Sequence, residues 1–214
     1  MHTYSTDNDL RPRIIGFLGI GSFLLVLGIE QVLIIVNTTV PFGPNFPVPA
    51  TGAVFTVVYV VFAAKIWNYG IFRRLRLVTT PYFGGHWEGY VRSSYNVGDD
   101  VEEEPDVDTR TEVKVEIEQS WRKMIVRLEG TDSSSRSLGA SITTKQGRPQ
   151  LTYYYLNEPD YDAPDTYSIG YGTASVKLYE NEGKDGEDVL DGIYYTGPDR
   201  GEHGKIRLTR VVAE

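Results

Sequence analysis

Residues Ile14 to Ile29 read IIGFLGIGSFLLVLGI, and the apolar run they open continues to Val36. A second run covers Ala53 to Phe72. The two runs are 23 and 20 residues long, and a helix needs about 20 residues to cross the ~30 Å hydrocarbon core of a bilayer. Each run therefore predicts one transmembrane helix. A helical hairpin buried in a soluble protein is the alternative, but such helices keep a polar stripe, and Ile14 to Ile29 offers only Ser22.

The flanks set the orientation. Arg11 and Arg13 precede the first run, Arg73, Arg74 and Arg76 follow the second, and the connector NTTVPFGPNFPVPATG (37–52) carries no charge. Basic residues stay on the cytoplasmic side, so both termini are expected in the cytoplasm of a multi-pass protein of the inner membrane. A cleaved signal peptide fits poorly, because the run is too long and Asp7 and Asp9 stand where basic residues belong. The expected organisation is a short cytoplasmic N-terminus (1–13), a transmembrane hairpin (14–72, spans 14–36 and 53–72, outer loop 37–52), a basic linker (73–81) and a cytoplasmic domain (82–214).

Charge and residue usage exclude several functions. The chain has no cysteine, and His2, His86 and His203 lack ligand spacing, so thiolate chemistry, disulfides and a zinc or iron site are not expected. Residues 1–81 carry a net charge of +3 and residues 82–214 a net charge of −11. So acidic a domain repels nucleic-acid polymers, whose binding rests on neutralising phosphate. High net charge also maintains solubility in a salt-rich cytoplasm.

Two charges fall inside the expected spans, Glu30 and Lys65. One reading has Lys65 snorkelling inward and Glu30 near the outer boundary beside Gln31. The other makes them polar contacts between subunits of an assembled lesion. Gly16, Gly19, Gly21 and Gly28, with Gly52, Ala53, Ala63 and Ala64, permit close helix approach.

Beyond Pro81 the pattern changes to period two. In EVKVEIE (112–118), Val113, Val115 and Ile117 alternate with charged residues, the mark of a half-buried strand. Seven further segments read as strands: His86 to Ser94, Trp121 to Glu129, Arg136 to Thr144, Gln150 to Asn157, Gly172 to Glu180, Val189 to Thr196 and Lys205 to Val212. No helical pattern lies between them, so an antiparallel meander is expected. Eight strands suffice for an up-and-down, lipocalin-like barrel with room for one small ligand; a sandwich of the same strands is the alternative.

The acidic stretches 96–108, 159–165 and 181–188 read as solvated loops, and Asp99 to Glu104 lacks the spacing of a calcium loop. Ser133-Ser134-Ser135 has no recognisable partner base. The domain therefore reads as a binding module without a cofactor rather than an enzyme. Tyrosines are dense, at 153–155 and 194–195. Neighbours on a strand face opposite sides, so only one of Tyr194 and Tyr195, or Tyr153 together with Tyr155, looks inward.

The blocks GHWEG (85–89), QSWRK (119–123), SSS (133–135), YYYLNEP (153–159), GTA (172–174) and LDGIYYTG (190–197), behind two spans, resemble the two-transmembrane, β-strand-rich effectors of cyclic-oligonucleotide-based antiphage signalling (CBASS). The resemblance implies that a nucleotidyltransferase, switched on by infection, makes a cyclic dinucleotide that binds the barrel. Binding would drive self-association of the hairpins and damage the lipid bilayer, arresting growth or killing the infected cell. A dianion approaching a net −11 domain needs local donors, for which Arg122, Ser134, Ser135, Arg136, Asn157, Thr196 and Arg200 are candidates, with Trp121, Tyr155 or Tyr195 stacking the bases. A membrane-anchored, lipocalin-like carrier of an apolar ligand and a subunit of an envelope complex are the competing readings.

Overall fold

The computed structural model describes residues 1–7, 11–39, 46–74, 78–93, 110–160, 169–197 and 203–211. They form two compact units, one of residues 8–79 and one that joins residues 1–7 to residues 80–214.

In the first unit, helix α1 runs from Arg11 to Thr39, about 43 Å at ~1.5 Å per residue. Among the described residues it is the one helix long and apolar enough to cross a membrane. Phe17, Ile20, Leu24 and Ile35 stand on its exposed surface. Its hydroxyls turn back on their own backbone: Ser22 donates to the Leu18 carbonyl at 2.7 Å and Thr38 to that of Ile34 at 2.8 Å. A hydroxyl satisfied in this way adds little cost in hydrocarbon.

The second apolar run does not form the continuous helix expected over 53–72. Helix α2 covers Thr51–Ala64, 14 residues and about 21 Å. Lys65 ends it with φ −133° and ψ −41°, a single 3₁₀ turn follows at Ile66–Asn68, and a short α3 covers Gly70–Arg74. Asn68 and Gly70 are weak helix formers, and Phe62 meets Phe72 edge to face at 5.7 Å, which folds the end of the run back. Lys65 is thus an exposed cap of α2, where a cation suits the carbonyl end of a helix. Glu30 lies half-buried on α1.

The second unit is built of strands β1 (His2–Thr6), β2 (Gly85–Ser93), β3 (Arg110–Gln119), β4 (Lys123–Glu129), β5 (Ser133–Lys145), β6 (Arg148–Pro159), β7 (Gly170–Tyr179), β8 (Val189–Thr196) and β9 (His203–Arg210). From β2 onward each strand pairs antiparallel with the next, and β9 pairs with β2. Among the described residues the sheet is a closed barrel rather than a sandwich; the eight strands counted from the sequence are β2 to β9, and β1 joins them as a ninth. The alternation seen in EVKVEIE sets the inside: Val113, Val115 and Ile117 are buried while the charged residues between them face out. Gln146 and Gly147, both at positive φ, make the two-residue turn between β5 and β6 that suits a hairpin's twist.

The ninth strand comes from the segment expected as a tail. β4 and β5 pair only from Arg127↔Arg136 to Glu129↔Ser134 and then part. Into the fork goes β1, antiparallel to β4 (Thr3↔Lys123) and parallel to β5 (Ser5↔Ser141). At the branch point the Val126 amide donates to the buried Ser137 hydroxyl at 2.8 Å, and His2 Nε2 lies 2.7 Å from the same oxygen. Tyr4, buried, donates its hydroxyl to the Trp121 carbonyl at 2.9 Å. Gln119, hydrogen-bonded to that phenol, also holds the backbone of Pro81 and Phe83 at 3.0 and 2.7 Å. One glutamine thus ties the strand before the helices to the segment after them.

Replacing Tyr4 with Ala should lower the unfolding free energy by about 3–5 kcal/mol, and with Phe by about 1 kcal/mol, measured by denaturant titration of the full chain in detergent. Equal stability of both variants to the parent would show β1 to be dispensable.

Candidate functional site

One half of the barrel is solid. Trp87, Met124, Ile142, Leu151, Leu190 and Leu208 fill it, each at most 2% exposed. The Trp87 indole donates to the Phe83 carbonyl at 3.0 Å, while Arg210 covers the ring at 4.3 Å and pairs with Asp188 at 3.1 Å. The chain leaves β1 and enters β2 at this filled end.

The other half holds a cavity of about 320 Å³, within the usual range for small-ligand sites. Its wall comes from the ends of strands remote from the floor: Val91 of β2, Val113 of β3, Leu128 of β4, Ser135 of β5, Tyr153, Tyr155 and Asn157 of β6, Ala174 of β7, Tyr194 and Thr196 of β8, and Ile206 of β9. Thr111, Ser133, the β4–β5 turn Gly130–Asp132 and the segment Ile169–Tyr171 form the rim. Two inward glycines give the phenol rings their space. A Cβ on Gly172 would lie 2.3 Å from the Tyr155 ring, and one on Gly204 would lie 2.5 Å from that of Tyr194.

Electrostatically the cavity is quiet. Asp132 is the one charged residue among the described lining. Burial first, and the neighbouring Tyr155 second, push the Tyr153 phenol well above its ordinary value, so it stays a neutral donor. Flat ring faces, apolar patches and a rim of hydroxyls and an amide are suited to holding a heterocycle and reading its edge. Among the described residues no group of histidine and carboxylate side chains forms a metal site. The stretch Asp99 to Glu104, weighed for calcium, lies outside the described residues.

The candidates drawn from the sequence separate by position. Ser135, Tyr155, Asn157 and Thr196 line the cavity together. Ser134 and Arg136 sit on the opposite face of β5 from Ser135, and Arg136 meets Glu158 there at 3.7 Å. Tyr195 also faces out, stacked on His203, and its neighbour Tyr194 takes the inward place. Trp121 and Arg122 lie in the β3–β4 turn at the filled end, Trp121 buried and Arg122 exposed. That segment, read as the start of a strand, is a turn because the Ser120 hydroxyl bonds across it to Lys123. Arg200 lies outside the described residues. The ligand candidates drawn from the sequence did not include Tyr194, Ser133 or Thr111; the inward Gly204, paired with Tyr194 in the β8–β9 register, was the available signal for choosing Tyr194 over Tyr195.

Residues 78–210 match the family model described as "Cap15, cyclic dinucleotide receptor domain". The chain belongs to the Cap15 receptor-domain family. A curated relative, CD-NTase-associated protein 15 of Staphylococcus schleiferi, is 29% identical over 99 residues, which are 46% of this chain and 50% of that protein. The chain therefore spans about half the length of the curated relative it matches. The Cap15 match includes the whole cavity wall but not β1, so the strand that fills the fork lies outside the matched region.

The buried phenol gives the Cap15 domain a pH signature. An unfolded chain releases a tyrosine proton near pH 10, whereas folded Tyr153 holds it to higher pH. The stability due to its neutral form is complete below about pH 10 and is lost as pH rises beyond that value. Denaturant midpoints should therefore fall as pH rises above about 10, and Tyr153→Phe should flatten the fall; a parallel decline in the variant would assign it elsewhere.

Proposed function

We propose that this chain is a CBASS effector whose barrel cavity binds a cyclic dinucleotide made by an infection-activated nucleotidyltransferase. The observation that carries the reading is a cavity walled by Tyr153, Tyr155 and Tyr194 and rimmed by Ser133, Ser135, Asn157 and Thr196, inside the region that matches a cyclic dinucleotide receptor domain. Tyrosine faces stack a base, and the rim reads its edge. The domain has no catalytic role in this reading. Arg200, four residues after Thr196, remains a candidate for the phosphates.

The helical unit is the acting part. α1 and the broken α2–α3 segment cross the inner membrane with both termini in the cytoplasm, as the basic flanks favour. Ligand binding drives self-association, and the assembled helices disrupt the membrane and stop growth of the infected cell. Glu30 and the Lys65 cap supply polar contacts between neighbouring helices.

Calorimetric titration of the full chain in detergent, with cyclic dinucleotides of purine and pyrimidine bases, tests the ligand. Tyr155→Ala should weaken binding by about 5- to 100-fold, the loss of one stacked base. Arg122→Ala, at the filled end, should leave it unchanged. No binding by any member of the panel would overturn the reading. The apolar lining from Val91, Val113, Leu128 and Ile206 favours a lipocalin-like carrier instead, and a stoichiometric lipid recovered by organic extraction would establish that alternative.

A further inference from the structure

The outside of the barrel is not uniform. On β2 to β4 the outward residues are ionic, with Lys114 3.8 Å from Glu88 and Arg127 bonded to both Glu116 and Glu118. On β6 to β8 they include four exposed aromatic and aliphatic side chains: Tyr154 is 46% exposed, Tyr171 56%, Ile193 42% and Tyr195 51%. The register makes them one patch. Tyr154 lies opposite Thr173, which lies opposite Tyr195, which lies opposite His203. Tyr154 stacks on Tyr171 at 6.0 Å and 16°, and Tyr195 on His203 at 6.2 Å and 26°.

A contiguous exposed patch of this kind marks an interaction surface, and tyrosine is enriched in protein interfaces. We propose that the outer face of β6 to β9 docks a second copy of this chain, with Tyr154, Tyr171, Ile193 and Tyr195 at its centre. This deepens the self-association proposed above by naming the surface. Charge decides for a second copy. Strands β6 to β9 turn out four cations, Arg148, Lys177, Lys205 and Arg207, against two carboxylates, Glu158 and Asp191, in a domain of net −11. Two such domains repel each other over most of their surface and meet with least repulsion here. Carrying both signs, the face also complements itself in a two-fold contact. An anionic lipid surface is disfavoured by the charge of the whole domain, and Arg148 is already paired with Glu182 at 3.1 Å.

The face also adjoins the cavity. Tyr171, which stacks on Tyr154, belongs with Ile169 to the cavity rim. A ligand seated at the rim therefore touches the border of the docking face, and its occupancy biases docking by fixing that ring.

The absence of cysteine allows a direct test by oxidative cross-linking of the full chain in membranes. Thr173→Cys, between Tyr154 and Tyr195, should give about tenfold more disulfide-linked dimer than Lys114→Cys on the ionic face, and adding Tyr154→Ser with Tyr195→Ser should lower that yield about tenfold. Ser175→Cys repeats the measurement on the same face if Thr173→Cys reduces the recovery of folded protein. Yields from the two faces within about twofold of each other would overturn the proposal. Run with and without the cyclic dinucleotide panel, the test separates the two readings. Cross-linking without ligand binding removes the cavity assignment and keeps the face, and binding with equal yields does the reverse.

Discussion

The ladder between β2 and β9, from Trp87↔Arg210 to Ser93↔Gly204, turns a meander into a tube and removes both free edges. Everything else about the domain follows from that closure. In a closed sheet every strand has one face inside, so a phase error of one residue moves a side chain from cavity to solvent. The inside is also too narrow for a large residue at every inward position. Where Tyr155 and Tyr194 cross it, the strand beside each has an inward glycine, Gly172 and Gly204. The filled end and the open end differ in this balance: indole, leucine and methionine pack one solid, while rings set against glycines leave the other hollow.

Closure also carries a local defect. β4 and β5 pair over only a few residues, and a bulge between Ser137 and Gly139 turns β5 away. An unfilled fork would leave backbone donors and acceptors unpaired, at about 1–3 kcal/mol for each buried group. β1 supplies partners to both strands, and at the branch the Ser137 hydroxyl accepts from the Val126 amide. Because β1 continues to α1 and Gln119 joins Tyr4 to Pro81 and Phe83, the defect is placed where the chain enters and leaves the helices. Any ligand effect on the separation of β4 and β5, whose other ends form the cavity rim, has a covalent route to α1.

Much of this was legible in the sequence, and the misreadings share a cause. EVKVEIE announces its strand because alternation over seven residues is a local property. β1 does not: HTYST has no repeat, and its identity as a strand comes from a fork formed by residues more than a hundred positions away. Tyr194 and Tyr195 could not be told apart because the phase of a strand is set by its partners' register. QSWRK looked continuous with β4 because a side chain bridging a turn is invisible in a pattern of apolar residues. KIWNYG stayed inside the second apolar run because hydropathy weighs composition and ignores backbone, whereas Lys65 leaves helical geometry.

The acidity of the domain looked hardest to reconcile with an anionic ligand, and the structure turns that difficulty into a question of location. Net charge acts at long range and is screened within ~8 Å at physiological salt, while binding is decided by what touches the ligand. In the described wall of the cavity those contacts are phenols, hydroxyls and one amide, with Asp132 at the rim. In the proposed binding mode they hold the neutral parts of a nucleotide and leave its phosphates to the rim and the solvent. The same separation of long-range field from local contact operates outside the barrel, where the aromatic face of β6 to β8 lies on strands that turn out more cations than carboxylates in a domain of net −11. Under the proposed self-association the two features divide the work: the field keeps unliganded copies apart, and a short-range aromatic surface engages only when copies are brought close.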